Sequence, residues 1–257
     1  MYFSMKKATF IFSLLLISCL TSYGQIINVE NSRLHSDTTG WMGGAGASVN
    51  LNKNAVQVLG FNLESQLQYK AHSQKSIWFI LGNYSFLKAG ADKLVSQGFI
   101  HLRYNYKINN WLRWEMFGQY QNNPVLFIDH RFLIGTGPRF RIYRREKTRV
   151  YAASLLMLED EKELTKPVVN HLDLRNSSYI SFSLIPNGQL EVVNTFFYQP
   201  LLKNFRDYRF LNQLSVKVKA GRRISLGIKL NYLNDSDPAG TAPATTYNFA
   251  TGIDFDF

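Results

Sequence analysis

Chemistry in this chain would have to start from its histidines and acids. The five histidines, His35, His72, His101, His130 and His171, are scattered, and Asp129-His130 is the one adjacent acid–histidine pair. A carboxylate behind an imidazole could activate a hydroxyl or a water as general base. In an extended strand, however, neighbouring side chains point to opposite faces, which argues against a simple dyad. No Gly-x-Ser-x-Gly elbow, His-Glu-x-x-His helix or Gly-rich phosphate loop is present. The single cysteine, Cys19, lies near the N-terminus, so neither a zinc site nor a disulfide framework is expected, and no cofactor is implied. Asp235 and Asp237, in the stretch 234–246 (NDSDPAGTAPATT), invite a calcium reading, but two acids in a polar loop are the ordinary content of a solvated turn.

A second kind of chemistry is carried by charge. Arg103, Glu115, Gln119, Asp129, Arg131, Arg139, Arg141, Asp173, Arg175, Arg209, Lys217, Lys219 and Lys229 all fall on the polar parity of alternating segments. If that parity faces a lumen, two outcomes are open. The groups could form a basic pore wall that attracts small anions, or a network of Arg–carboxylate pairs that fills the bore and fixes strand register.

The elements that position these groups are read from a two-residue period. Ile224, Leu226, Ile228, Leu230 and Tyr232 alternate with Arg223, Ser225, Gly227, Lys229 and Asn231. Tyr208, Phe210, Leu214, Val216 and Val218 alternate with Arg209, Gln213, Ser215, Lys217 and Lys219, and the parity returns at Tyr247, Phe249, Ile253, Phe255 and Phe257. Further strands are expected at 40–52, 55–70, 76–88, 95–108, 111–121, 127–144, 147–159, 169–185 and 189–200, with 76–88 apolar on both parities and its facing open. The total is about twelve, and the runs are long enough to cross a bilayer at a tilt. Short links (71–75, 109–110, 145–147, 186–188, 220–222) broadly alternate with longer ones (89–94, 160–168, 201–206, 234–244), with short exceptions near 53 and 122–124. That is the habit of a barrel with periplasmic turns and outer loops. The polar loops 160–166 and 234–246 are expected to face outward.

Composition agrees. The chain of 257 residues is 14% aromatic and 18% charged, with a net charge of +11. That is less charge than a typical soluble domain carries. Residues 1–24 read as a signal peptide: Lys6 and Lys7, an apolar core, then Ser22 and Gly24 before the cut. A lipoprotein cut before Cys19 is the alternative. Residues 25–39 are then a short periplasmic segment and 40–257 the barrel. Trp41, Trp78, Trp111 and Trp114 fit interfacial girdles. Export and the spread of basic residues over many strands argue against nucleic acid as a partner. Gly252, Phe255 and Phe257 resemble the terminal signal read by the barrel-insertion machinery, with Ala250 as a departure from it.

A wider resemblance covers most of the mature chain. Its markers are Arg103 and Tyr104; Glu115, Phe117 and Gln119; Arg131; Gly135-Thr136-Gly137; Ser177-Ser178-Tyr179; Tyr198-Gln199-Pro200; and Asp207-Tyr208-Arg209. In this order they resemble an uncharacterised bacterial family of salt-induced outer-membrane proteins, a domain of unknown function. The resemblance implies an outer-membrane β-barrel and no established chemistry. The stretch MLEDE in 147–159 departs from the family's usual ending of that strand.

The expectation is therefore an all-β protein: an antiparallel up-and-down transmembrane β-barrel of about twelve strands, monomeric, in the outer membrane of a Gram-negative envelope. Its role would be structural or a porin-like passive small-solute channel, linked to envelope or salt stress through the resemblance alone, and it would not be an enzyme. The alternatives are a membrane-embedded hydrolase of lipid or peptide, and a surface-binding protein acting through its outer loops. Its partners would be outer-membrane lipid and the assembly machinery.

Overall fold

A computed structural model of the chain describes residues 39–53, 57–89, 93–221 and 223–255. The expected signal peptide 1–24, the segment after it as far as residue 38, and Phe257 lie outside the described residues. The described residues form twelve strands: β1 (Gly40–Lys53), β2 (Gln57–Lys70), β3 (Ser76–Ala89), β4 (Lys93–Lys107), β5 (Leu112–Asn123), β6 (Ile128–Arg144), β7 (Thr148–Glu163), β8 (Asn170–Leu184), β9 (Leu190–Leu201), β10 (Asn204–Lys219), β11 (Ile224–Asp235) and β12 (Thr245–Phe255). They make one antiparallel sheet in sequence order, β1 to β12. Strand lengths run from 11 to 17 residues, more than the roughly 9–11 that a tilted strand needs to cross a bilayer. β12 comes alongside β1, but among the described residues no ladder joins them, so the sheet is not closed by hydrogen bonds.

One parity of each strand is apolar and exposed, the other polar and enclosed. Ile100, Leu102 and Tyr106 of β4, Ile134 of β6, Leu156 and Leu158 of β7, and Leu226 and Ile228 of β11 all lie outward and exposed. His101, Arg103 and Asn105 of β4, and Glu159 and Glu161 of β7, lie inward and buried. This inverts a soluble core, and it is the pattern of a sheet whose outer face meets lipid. Aromatics form two belts on that face. Near the turns 71–75 and 108–111, Trp41 packs on Tyr69 at 4.8 Å, Trp78 on Tyr104 at 4.4 Å and Trp111 on Phe140 at 6.0 Å. At the opposite end Tyr120 meets Phe132 at 4.8 Å and Tyr198 meets Tyr208 at 5.7 Å. All four tryptophans belong to the first belt, which marks the turn end; the links 124–127, 164–169 and 236–244 mark the loop end.

Several boundaries differ from the sequence expectation. β7 runs on to Glu163, so most of the loop expected at 160–166 is strand, with Glu161 and Glu163 turned inward and buried. β10 starts at Asn204, leaving only Leu202-Lys203 after β9, and β3 and β4 run to Ala89 and from Lys93, into the link expected at 89–94. Among the described loop-end links, 236–244 is the longest. The facing of β3, open from sequence, is set by its register: Trp78 pairs with Tyr69 outside, and Ile77, Phe79 and Leu81 form an apolar cluster inside.

The glycines in Gly135-Thr136-Gly137 have a packing reason. A Cβ at Gly137 would sit 2.3 Å from the Ser154 carbonyl oxygen and 2.7 Å from the Leu155 Cα, so the backbone of β7 passes where a side chain would be. At Gly135 the Phe117 ring occupies that space, 2.4 Å from the added atom.

Candidate functional site

The interior divides into a dry, filled half and a wet half. The filled half spans β4 to β10 and carries two ionic clusters.

The first cluster lies mid-bore. Glu115 on β5 is 0% exposed and faces Arg103 Nη1 and Arg139 Nε, each at 3.5 Å, while the Tyr179 hydroxyl donates to it at 2.7 Å. The Arg139 guanidinium also lies 3.7 Å over the Tyr151 ring, a cation–π contact. Next to it, His101 Nδ1 meets Gln119 Oε1 at 2.9 Å, Gln119 donates on to Gln121 at 2.6 Å, and the imidazole stacks on Phe117.

The second cluster lies toward the loop end. Glu159, 1% exposed, takes Arg209 Nη1 at 2.6 Å and Arg175 Nε at 3.3 Å. Arg209 also holds Asp235 at 2.9 Å and Glu161 at 3.4 Å; Arg131 pairs with Glu161; Arg175 clamps Asp207 through both terminal nitrogens, at 2.8 and 3.2 Å. Arg209 and Glu159 come from β10 and β7, so the cluster spans the bore rather than following one ladder. The cavities beside the clusters are small, about 20 Å³ next to Arg103 and Glu159 and about 30 Å³ under the loop 236–244. Each holds little more than one or two waters.

The wet half is formed by β1, β2, β11 and β12. Here Lys229 on β11 reaches Glu64 on β2 at 3.3 Å, and both stay open to solvent, at 42% and 49% side-chain exposure. In a closed ring β12 and β1 stand between these strands, about 14 Å along the wall. Their inward positions include Gly44, Gly46 and Gly252, and a Cβ added at Gly46 or Gly252 would meet nothing within 4 Å.

The structure thus places Arg103, Glu115, Gln119, Arg131, Arg139, Asp173, Arg175 and Arg209 inward and buried. Arg141, Lys217 and Lys229 lie inward and half-buried, and Lys219 inward and exposed. Asp129 departs from the expectation. A bulge between Ile128 and His130 shifts the phase of β6, so Asp129 turns to Lys162 at 2.9 Å on the outer side. The same bulge corrects the argument against an Asp129–His130 contact, since the two side chains meet at 3.5 Å. Among the described residues no serine hydroxyl bonds a histidine, and no cluster of three metal-ligating side chains occurs. Asp235 and Asp237 meet each other through the Asp237 N–H, while Asp235 is held by Arg209. Sequence reasoning missed Glu64, Glu159 and Glu161; their inward parity was the signal available for them. Of the terminal aromatic signal, Gly252 and Phe255 lie in β12.

The family model described as "Protein of unknown function, DUF481" matches residues 57–257. The chain belongs to the DUF481 family. No curated protein matches the sequence. Among solved structures, a NanC porin is similar with a TM-score of 0.51 at 8% identity, over 84% of this chain and 98% of that one. The translocator domain of the autotransporter NalP from Neisseria meningitidis gives 0.51 at 9% identity, over 85% and 89%. A KdgM porin gives 0.45 at 8% identity, over 84% and 99%. At these identities the likeness concerns the fold alone. The DUF481 chain has the porin-like fold of outer-membrane β-barrels.

Proposed function

We propose that this protein resides in the outer membrane, turn end toward the periplasm, and passes small polar solutes through a narrow corridor on one side of its bore. The observation that carries the reading is the contrast between the two interior halves. Glu115 and Glu159 are sealed among arginines, whereas Glu64 and Lys229 remain half open to water beside the open positions of Gly46 and Gly252. Charges kept hydrated inside a barrel line a water path. The filled half acts as a rigid buttress that narrows it. The reading is non-enzymatic: Glu115 and Glu159 are occupied by arginines, and the carboxylate–imidazole pairs Asp129–His130 and Glu163–His171 have no serine hydroxyl bonded to the imidazole among the described residues. Lipid and the barrel-insertion machinery are its expected partners.

The test is single-channel recording in planar bilayers. Small unitary steps are expected, reduced at least twofold by Gly46→Trp and shifted toward cations by Lys229→Glu. A wild-type protein that inserts and shows no steps would overturn the corridor. It would leave a purely structural barrel, the second reading, which the water-sized cavities of the filled half favour.

A further inference from the structure

The charge of the interior is uneven along the axis. Toward the loop end, inward acids predominate and are paired. Toward the turn end, inward positions are cationic on the consecutive strands β4, β5 and β6. Lys107 of β4 lies directly opposite Arg113 of β5, and Arg113 lies directly opposite Arg139 of β6. Like charges set opposite each other across a ladder repel. One inward step closer to the turns, Arg141 of β6 lies opposite Tyr151 of β7, and Arg149 is the next inward residue of β7, its register partner Ser183 buried on the inner face. Unlike the sealed mid-bore clusters, Lys107, Arg113, Arg141 and Arg149 are all half-buried, so this end of the bore opens to solvent. The acids near them are few. Glu115 is committed to Arg103, Arg139 and Tyr179; Glu191 lies opposite Lys217 on the far wall; Glu146 is exposed in the turn. Among the described residues no carboxylate pairs with Lys107, Arg141 or Arg149.

A second observation comes from Asn105, one inward step from Lys107 on β4. It is 1% exposed, yet among the described residues neither its Nδ2 nor its Oδ1 has a hydrogen-bond partner. The same holds for Arg141 Nε. Buried polar atoms without partners mark a place where water or a ligand completes the structure.

We infer that the turn end of the bore is a binding vestibule for a multiply charged phosphate, held by Lys107, Arg141 and Arg149 over Asn105. Guanidinium forks suit phosphate oxygens bidentately, and Asn105 offers a neutral donor where the anion meets the sealed belt. The vestibule does not depend on the corridor of the proposed function, since a barrel plugged at mid-bore keeps it.

The experiment is calorimetric titration of the full chain, in neutral phosphatidylcholine nanodiscs, with inorganic pyrophosphate. Binding is expected to weaken with rising salt. It should fall at least tenfold in Lys107→Gln/Arg141→Gln and stay unchanged in Lys203→Gln, a change at the loop end. Heat-modifiable gel migration establishes that each variant is folded, and Arg149→Gln alone, with a smaller loss expected, serves if the double variant does not fold. The inference is overturned if wild-type protein does not bind pyrophosphate at low salt, or if the folded variants bind it as well as wild type. It is also overturned if only vesicles containing phosphatidylglycerol bind, which would assign the cations to lipid headgroups at the rim. None of these outcomes bears on conductance.

Discussion

Replacing Glu115 by Gln should destabilise the barrel more than any other single charge neutralisation in its middle. The carboxylate faces two guanidiniums at 3.5 Å and accepts the Tyr179 hydroxyl at 2.7 Å, with no exposed surface of its own. Gln keeps the shape and one acceptor but removes the carboxylate charge that the buried Arg103 and Arg139 guanidiniums face. Breaking a buried pair from one side costs about 3–5 kcal/mol. The lower end applies here, because the ionic contacts are long and Arg139 keeps its stacking on Tyr151 at 3.7 Å. With a guanidinium dependence of about 4 kcal/mol per molar, a loss of about 3 kcal/mol lowers the unfolding midpoint by about 0.8 M. The assay is guanidinium unfolding of the protein in lipid vesicles, followed by tryptophan fluorescence. A loss below about 1 kcal/mol, the value of an exposed pair, would refute the claim that Glu115 is a desolvated counter-ion. The triple change Glu115→Leu/Arg103→Met/Arg139→Met should recover most of the loss, since an apolar set of similar volume is commonly neutral or better.

Two further outcomes follow from the same geometry. Gly137→Ala should cost about 1–3 kcal/mol or block folding, because its Cβ collides with the backbone of β7, while Gly252→Ala should be neutral to slightly stabilising; heat-modifiable migration separates the two. Leu102→Arg, on the exposed face of β4, should cost about 2–4 kcal/mol in vesicles, and Gln66→Arg, on the inward parity of β2, less than about 1 kcal/mol.

The strands could be read from sequence because lipid and lumen impose opposite chemistry on alternate residues, as in Ile100 to Tyr106 against His101 to Lys107. Where both faces are apolar the signal vanishes: Phe79 and Leu81 fill the bore, so β3 carried no facing information. Glu161 and Glu163 looked like loop because charge in isolation suggests solvent. They are strand because Arg131, Arg209 and His171 receive them. The bulge that turns Asp129 outward adds one residue and leaves no mark in the period. The ionic partners were the least legible part of the site. Arg209 finds Glu159 at a separation of 50 residues, through the curvature of the sheet across three ladders, and no local pattern encodes that.

The strictly sequential order of the sheet also bears on how the barrel is made. Every ladder joins neighbours along the chain, so eleven pairings can form hairpin by hairpin at small cost in chain entropy. The approach of β12 to β1 is different. The Lys229–Glu64 contact that spans it closes a loop of 165 residues, an entropic cost of about 4.5 kcal/mol beyond a constant term. The strand that must receive this closure contains Gly40, Gly43, Gly44 and Gly46, residues that weaken a strand. The seam is therefore the step expected to complete last during insertion and to open first on unfolding. It is the one edge at which, until closure, a foreign strand could compete.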